Sequence, residues 1–158
     1  MPELKTGQPR PENDNYRILV LVEEPAHMQL IVESCKKLKQ EVVPVQTIEA
    51  ALKFLETKDH VDACIAEAFL QNESSFDFLS RMKKLPGHKD VPVMLVALAP
   101  GEVARFCRES METAASVLGA YKFLIMPDFD LDQMIREVQS LLPVKKIPKK
   151  EADPTSAN

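Results

Sequence analysis

The feature that most constrains this chain is an alternation. Between residues 16 and 142, short apolar runs alternate five times with segments whose apolar residues recur at helical spacing. Ile18 to Val22 is continuously apolar, as a strand buried on both faces requires. Pro25 then opens a helix, where proline is tolerated, with Met28, Ile31, Cys35 and Leu38 on one side and Lys36, Lys37 and Lys39 near its end. Val42 to Val45 reads as a second strand, and Thr47 as the cap of a helix that buries Ala51, Leu52 and Leu55. Val61 to Ala66 is the third strand. Ser74 caps the third helix, with Asp77 in the capping-box position, Phe78, Leu79, Met82 and Leu85 inside, and Pro86-Gly87 as the stop. Val91 to Leu98 is the fourth strand. A long helix follows, with Val103, Phe106, Cys107, Met111, Ala114, Ala115 and Leu118 inward, ended by Gly119. Tyr121 to Met126 is the fifth strand. Asp130 caps a last helix that Pro143 ends.

Strict β-α alternation implies a parallel sheet with right-handed crossovers and helices on both faces. Five strands of this kind point to an α/β fold with flavodoxin-like, doubly wound order 2-1-3-4-5. Ligands in such sheets gather at the carboxyl ends of the strands. Residues 1–15 and 143–158 are polar and proline-interrupted, and are expected to be a disordered lead and tail flanking one domain over residues 16–142. The tail lysines Lys145, Lys146, Lys149 and Lys150 form one short basic cluster, suited to solubility or to an acidic partner.

Composition removes several classes of function. Net charge is -4, tryptophan is absent and aromatics make up 6%, so neither a basic stripe nor a base-stacking platform for nucleic acid exists. No apolar run approaches the roughly 18 residues of a membrane helix, and the start of the chain lacks a signal-peptide core. A cytoplasmic location is expected. Cys35, Cys64 and Cys107 are odd in number and widely spaced, and are expected to be buried free thiols. With four glycines and none after the first strand, there is no GxGxxG, no P-loop and no flavin phosphate loop. No serine lies in a nucleophile elbow. His27, His60 and His88 have no metal-ligand spacing and read as surface residues. An enzyme of a standard class is not expected, nor a cofactor or a resident metal.

What remains at the strand ends is acidic: Glu23, Glu24 and Glu67. Paired carboxylates suit Mg²⁺, a hard cation; a solvated acidic loop is the alternative.

Four segments carry a family resemblance. ILVLVEEP, from Ile18 to Pro25, is similar to the first strand of response-regulator receiver domains, typically ILVVDDEP. DACIAE, from Asp62 to Glu67, resembles their third strand, in which an aspartate precedes the phospho-acceptor by five residues. VPVMLVAL, from Val91 to Leu98, resembles the fourth strand, and LGAYKFLIMP, from Leu118 to Pro127, the fifth, with its GAxxYLxKP signature. The resemblance covers residues 16 to 142, and the functional positions depart from it one by one. It places Val22 and Glu23 at the acidic pair that holds Mg²⁺, Glu67 at the phospho-acceptor, Ala97 at the switch hydroxyl, Phe123 at the aromatic switch position and Met126 at the lysine that pairs with the acyl phosphate. It also implies a cis bond before Pro127.

Phosphoryl transfer is chiefly positioning and neutralisation of oxygen charge. Valine offers no ligand oxygen, methionine no ammonium and alanine no hydroxyl, so the pocket is expected to be degenerate. Glu24 as a substitute metal ligand supports the main alternative, a working phospho-receiver that uses Glu67 or another acceptor with Mg²⁺. A remote alternative is a small flavodoxin-like enzyme. Glu67 also allows a phosphomimic, although it carries about one charge against the nearly two of a phosphate. The expected function is that of a stand-alone receiver-type module in two-component or phosphorelay signalling, acting through a protein partner. The resemblance implies that the fourth helix, fifth strand and fifth helix form the partner face, with a homodimer as the second occupant. Arg105, Arg108, Glu109 and Glu112, on the outer side of the long fourth helix, are its candidate residues.

Overall fold

The computed structural model describes residues 15–57, 60–102 and 106–143. Most of the expected lead and tail, together with Val103 and Arg105, lie outside these. The chain alternates as β1 (Arg17–Leu21), α1 (Pro25–Lys37), β2 (Glu41–Val45), α2 (Ile48–Glu56), β3 (Ala63–Glu67), α3 (Ser75–Lys83), β4 (Val93–Leu98), α4 (Arg108–Val117), β5 (Lys122–Met126) and α5 (Leu131–Leu141). The five strands form one sheet in the order β2-β1-β3-β4-β5, all parallel. This is the doubly wound order that the alternation implied.

Each face of the sheet owns one half of the apolar residues, because side chains alternate along a strand. Leu19, Leu21, Cys64, Ala66, Leu95 and Ala97 pack under α2, α3 and α4. Ile18, Val20, Val22, Ile65, Val96 and Met126 pack under α1 and α5. Ile31 and Cys35 of α1 meet Met134, Val138 and Leu141 of α5 in this second layer. The caps act as read: Thr47, Ser74 and Asp130 accept from the backbone N–H of Ala50, Asp77 and Gln133. Gly119 ends α4 with φ +98°, a left-handed conformation that costs glycine little. Among the described residues, no helix is long and apolar enough to cross a membrane.

The fourth crossover differs from the single long helix expected. Cys107 has φ -93° and ψ 12° and caps α4 instead of lying inside a helix. Within α4 the inward stripe is Met111, Ala115 and Leu118, while Ala114 is exposed. The break at Cys107 shifts the helical phase, so Phe106 leaves the stripe and stands 92% exposed. Cys107 is half-buried, not buried. His88 also departs from its reading as a surface residue: it is buried, with Nε2 2.9 Å from the Leu55 carbonyl oxygen.

Burial pushes the Cys35 and Cys64 thiols up to about 12, the latter pulled back somewhat by the Lys83 ammonium. At pH 8 both are therefore protonated and shielded. A disulfide reagent should label one cysteine, Cys107, in the native protein and all three in denaturant; rapid native labelling of Cys35 or Cys64 would contradict this packing. Leu19, fully buried between two neighbouring strands, gives a second test. Leu19→Asp buries a charge without a partner, at a cost expected to exceed about 4 kcal/mol. Loss of the cooperative urea transition is the expected result.

Candidate functional site

The sheet brings together, at its carboxyl edge, the residues that the sequence marked. Val22 directly follows β1, Glu67 ends β3, Ala97 lies near the end of β4 and Met126 ends β5. Register sets them side by side: Glu67 pairs with Val96, Ala97 with Ile125, and Leu98 with Met126. The ladder runs on past the strand ends, through Ala68 N–H to Val96 O at 2.7 Å and Ala99 N–H to Met126 O at 3.3 Å. Ala99 sits at φ +49°, a left-handed turn that non-glycine residues seldom adopt.

Glu67 is the one charged residue among the buried described residues, at 8% exposure. A carboxylate so placed needs partners for both oxygens. Oε1 accepts the Glu23 backbone N–H at 3.1 Å, and Oε2 lies 2.9 Å from Nδ1 of His27. The Glu67 carbonyl is engaged as well, by the hydroxyl of Ser75 at the start of α3. The carboxylate is thus tied to the β1–α1 turn and to the first turn of α1.

The neighbouring positions are apolar and closed. Val22 is fully buried, and its N–H donates to Val45 O. Ala97 is buried. Met126 is buried, and its Sδ accepts the Asp130 N–H at 3.4 Å. Phe123, opposite Leu95 in the register, belongs to the same core layer as Ala97 and Ala115. The bond between Met126 and Pro127 is trans, which corrects the expected cis isomer. Trans is favoured by about 0.5–1 kcal/mol unless local contacts select otherwise. Here the Met126 carbonyl and sulfur are both satisfied with the bond in that form.

A divalent cation does not fit this donor set. Val22 has no side-chain oxygen, each Glu67 oxygen already accepts one hydrogen bond, and Glu23 turns its Oε1 onto the Gln71 N–H at 2.8 Å. Glu24 is the exposed N-cap of α1. Among the described residues no group of three or more His, Cys, Asp or Glu is arranged to hold a metal.

On the outer side of α4, Arg108 and Glu112 approach to 3.8 Å across one turn, while Glu109 is exposed. An exposed pair of this kind contributes about 0.3–0.5 kcal/mol at most. More conspicuous nearby are Phe106, Val117 at 79% exposure and Tyr121 at 56%. Sequence reasoning put Phe106 on the inward stripe and read His27 as a surface residue, whereas the structure exposes Phe106 and sets His27 on Glu67. The clue to His27 was positional: Pro25 starts α1 directly after the end of β1, so the first turn of that helix overhangs the neighbouring end of β3.

Mg²⁺ titrated to 10 mM should therefore leave the amide resonances of Glu23, Glu67 and Ala68 unmoved apart from a uniform ionic-strength drift. A saturable shift confined to these residues would show that the carboxylates open to a metal.

No protein-family model matches the chain, and no curated protein matches it by sequence. Solved structures do match by fold. A chemotaxis response regulator of Vibrio cholerae is 16% identical, with a TM-score of 0.68 over 82% of this chain and 100% of the other. A response regulator from Thermotoga maritima is 17% identical, with a TM-score of 0.66 over 80% of this chain and 97% of the other. The receiver domain of a sensor histidine kinase from Pseudomonas aeruginosa, solved with magnesium coordinated in its active-site cleft, is 18% identical, with a TM-score of 0.65 over 81% and 98%. The fold of this chain is that of response-regulator receiver domains.

Proposed function

We propose that this chain is a receiver-type signalling module, of the kind used in two-component and phosphorelay pathways, whose phosphorylation chemistry has been dismantled and which acts by binding a protein partner. The observation that carries the reading is the state of Glu67. The carboxylate at the acceptor position has one oxygen on the Glu23 N–H and the other on His27, so each oxygen is already held by a donor of the protein. Around it, Val22, Ala97 and Met126 extend the core where transfer would need a metal ligand, a hydroxyl and an ammonium.

The same geometry argues against a phosphomimic. The charge of Glu67 is directed to α1 through His27, while β4 offers it an alanine methyl with nothing to donate. A switch requires a ligand that distinguishes two states energetically, and this pocket lacks the groups that would read a phosphoryl oxygen. Binding is then a property of the outer surface. Phe106, Val117 and Tyr121 offer exposed apolar anchors at the two ends of α4 and before β5, and Arg108, Glu109 and Glu112 offer charges along α4. Interfaces draw most of their energy from such aromatic anchors. A second copy of the chain is the other candidate for this face.

The test is to capture a partner with the tagged full chain and to measure its affinity for three forms. Glu67→Gln keeps the shape and removes the charge, and should bind within about twofold of the wild type. Acetyl phosphate with Mg²⁺ should change neither the mass nor the affinity of the wild type. Tyr121→Ser with Val117→Ser should weaken binding by tenfold or more. A phosphodonor that raises affinity in the wild type but not in Glu67→Gln would identify a working switch and end this reading.

A further inference from the structure

Two large apolar side chains stand exposed at the carboxyl edge of the sheet. Phe69 directly follows the end of β3 and its loop neighbour Ala68, and is 39% exposed; Phe106, just before α4, is 92% exposed. Because β3 and β4 are neighbours in the sheet, the two aromatics belong to adjacent loops. Phe69 does not owe its exposure to a slack loop. Its backbone bridges to Ser74 across that loop. Glu23 holds the Gln71 N–H at 2.8 Å, and Glu73 Oε2 accepts the Ile48 N–H at 3.2 Å. The loop is thus fastened to the turns that follow β1 and β2, and the ring is presented to solvent in place. A group held ready in this way loses little freedom on binding, which suits it to be an anchor.

The charges around these rings define what would cover them. The chain has 20 lysines and arginines. Two of them fall in the five loops that leave the strand ends or in the first turns of the helices that follow: Arg105, which lies outside the described residues, and Arg108. Carboxylates lie in four of the same five loops: Glu23 and Glu24 after β1, Glu73 after β3, Glu102 after β4, and Asp128 and Asp130 after β5. The first turns of α2, α3, α4 and α5 add one acid each. Helix dipoles offset about half a charge at each helix start, and the edge stays negative after that offset.

Charge complementarity then selects the occupant. An acidic partner would be repelled by the carboxylates, and a neutral one would have to desolvate them without return. A segment rich in lysine and arginine meets them, and apolar side chains between its cations cover the rings. We propose that the carboxyl edge docks a basic, amphipathic segment of a partner protein, with Phe69 and Phe106 beneath its apolar side chains and the loop carboxylates against its cations. Val117 and Tyr121 lie toward the opposite edge, because α4 runs back from the end of β4 to the start of β5. This surface is therefore separate from theirs, and it does not depend on the state of Glu67.

The test is an NMR titration of the full chain at 50 mM salt with three synthetic peptides of equal length: repeats of Lys-Lys-Leu, repeats of Glu-Glu-Leu, and lysine alone. The Lys-Lys-Leu peptide should shift the amides of Phe69, Gln71, Glu102 and Asp128 saturably, and the Glu-Glu-Leu peptide should not. Phe69→Ser with Phe106→Ser should weaken that binding by fivefold or more, and so should Glu102→Gln with Asp128→Asn. All four positions are exposed, so the amides of the buried strands should keep their wild-type shifts and report an intact fold. Val117→Ser with Tyr121→Ser should leave the affinity within twofold, which separates this surface from the far end of α4. Absence of a saturable shift at 1 mM Lys-Lys-Leu peptide overturns the proposal, as do shifts centred on other loops. Equal affinity for the all-lysine peptide overturns it as well, because the aromatics would not then be anchors.

Discussion

Everything in this molecule follows from burying a parallel sheet on both faces. β1 and β3 are fully enclosed along nearly their whole length, and Ile18 to Val22 have no exposure at all. Such strands must satisfy every backbone N–H and C=O within the ladder, because no water reaches them. Parallel pairing in turn requires a crossover after each strand, and covering two faces requires helices on both. The result is a sheet whose two edges differ in kind. All carboxyl ends meet at one, and all strand starts at the other.

That polarity explains why Glu67 lies where it does and why its partners matter. The carboxyl edge is open enough to hold a charge at the end of a buried strand, but at 8% exposure water cannot solvate it alone. The protein solves this with two donors, one backbone and one imidazole, both from the turn that follows the central strand β1. In a phosphorylating receiver, comparable charges would be left for a metal and a lysine to neutralise. Here each Glu67 oxygen accepts a hydrogen bond from within the protein, and Val22, Ala97 and Met126 are buried. Glu67 thereby links β3 to the β1–α1 turn and to the first turn of α1.

The opposite edge has the complementary character. Asp62 and Asp90 lie in loops there and Glu56 at the end of α2, and His88 is held by its bond to the last turn of that helix. Asp62 itself is a structural residue, since it accepts the Arg17 backbone N–H at 2.8 Å and contacts His60 at 2.5 Å.

The sequence by itself determined the fold. Short, β-branched apolar runs such as ILVLV and VMLVAL, set between helical segments, read as strands buried on both faces, and caps at Thr47, Ser74 and Asp130 set where the helices begin, because these signals act within a few residues along the chain. The resemblance to receiver domains marked the pocket positions Val22, Glu67, Ala97 and Met126, and the parallel topology brings the carboxyl ends of the strands together. What only the tertiary structure decided depends on approaches across long sequence separations. His27 lies 40 residues from Glu67, and His88 lies 33 from Leu55, so neither bond leaves a trace in local pattern. The break at Cys107 likewise overrode a helical periodicity that read as continuous, and its consequence was to turn Phe106 outward. Periodicity reports which side of an element is apolar; which groups meet there is settled by how the elements pack.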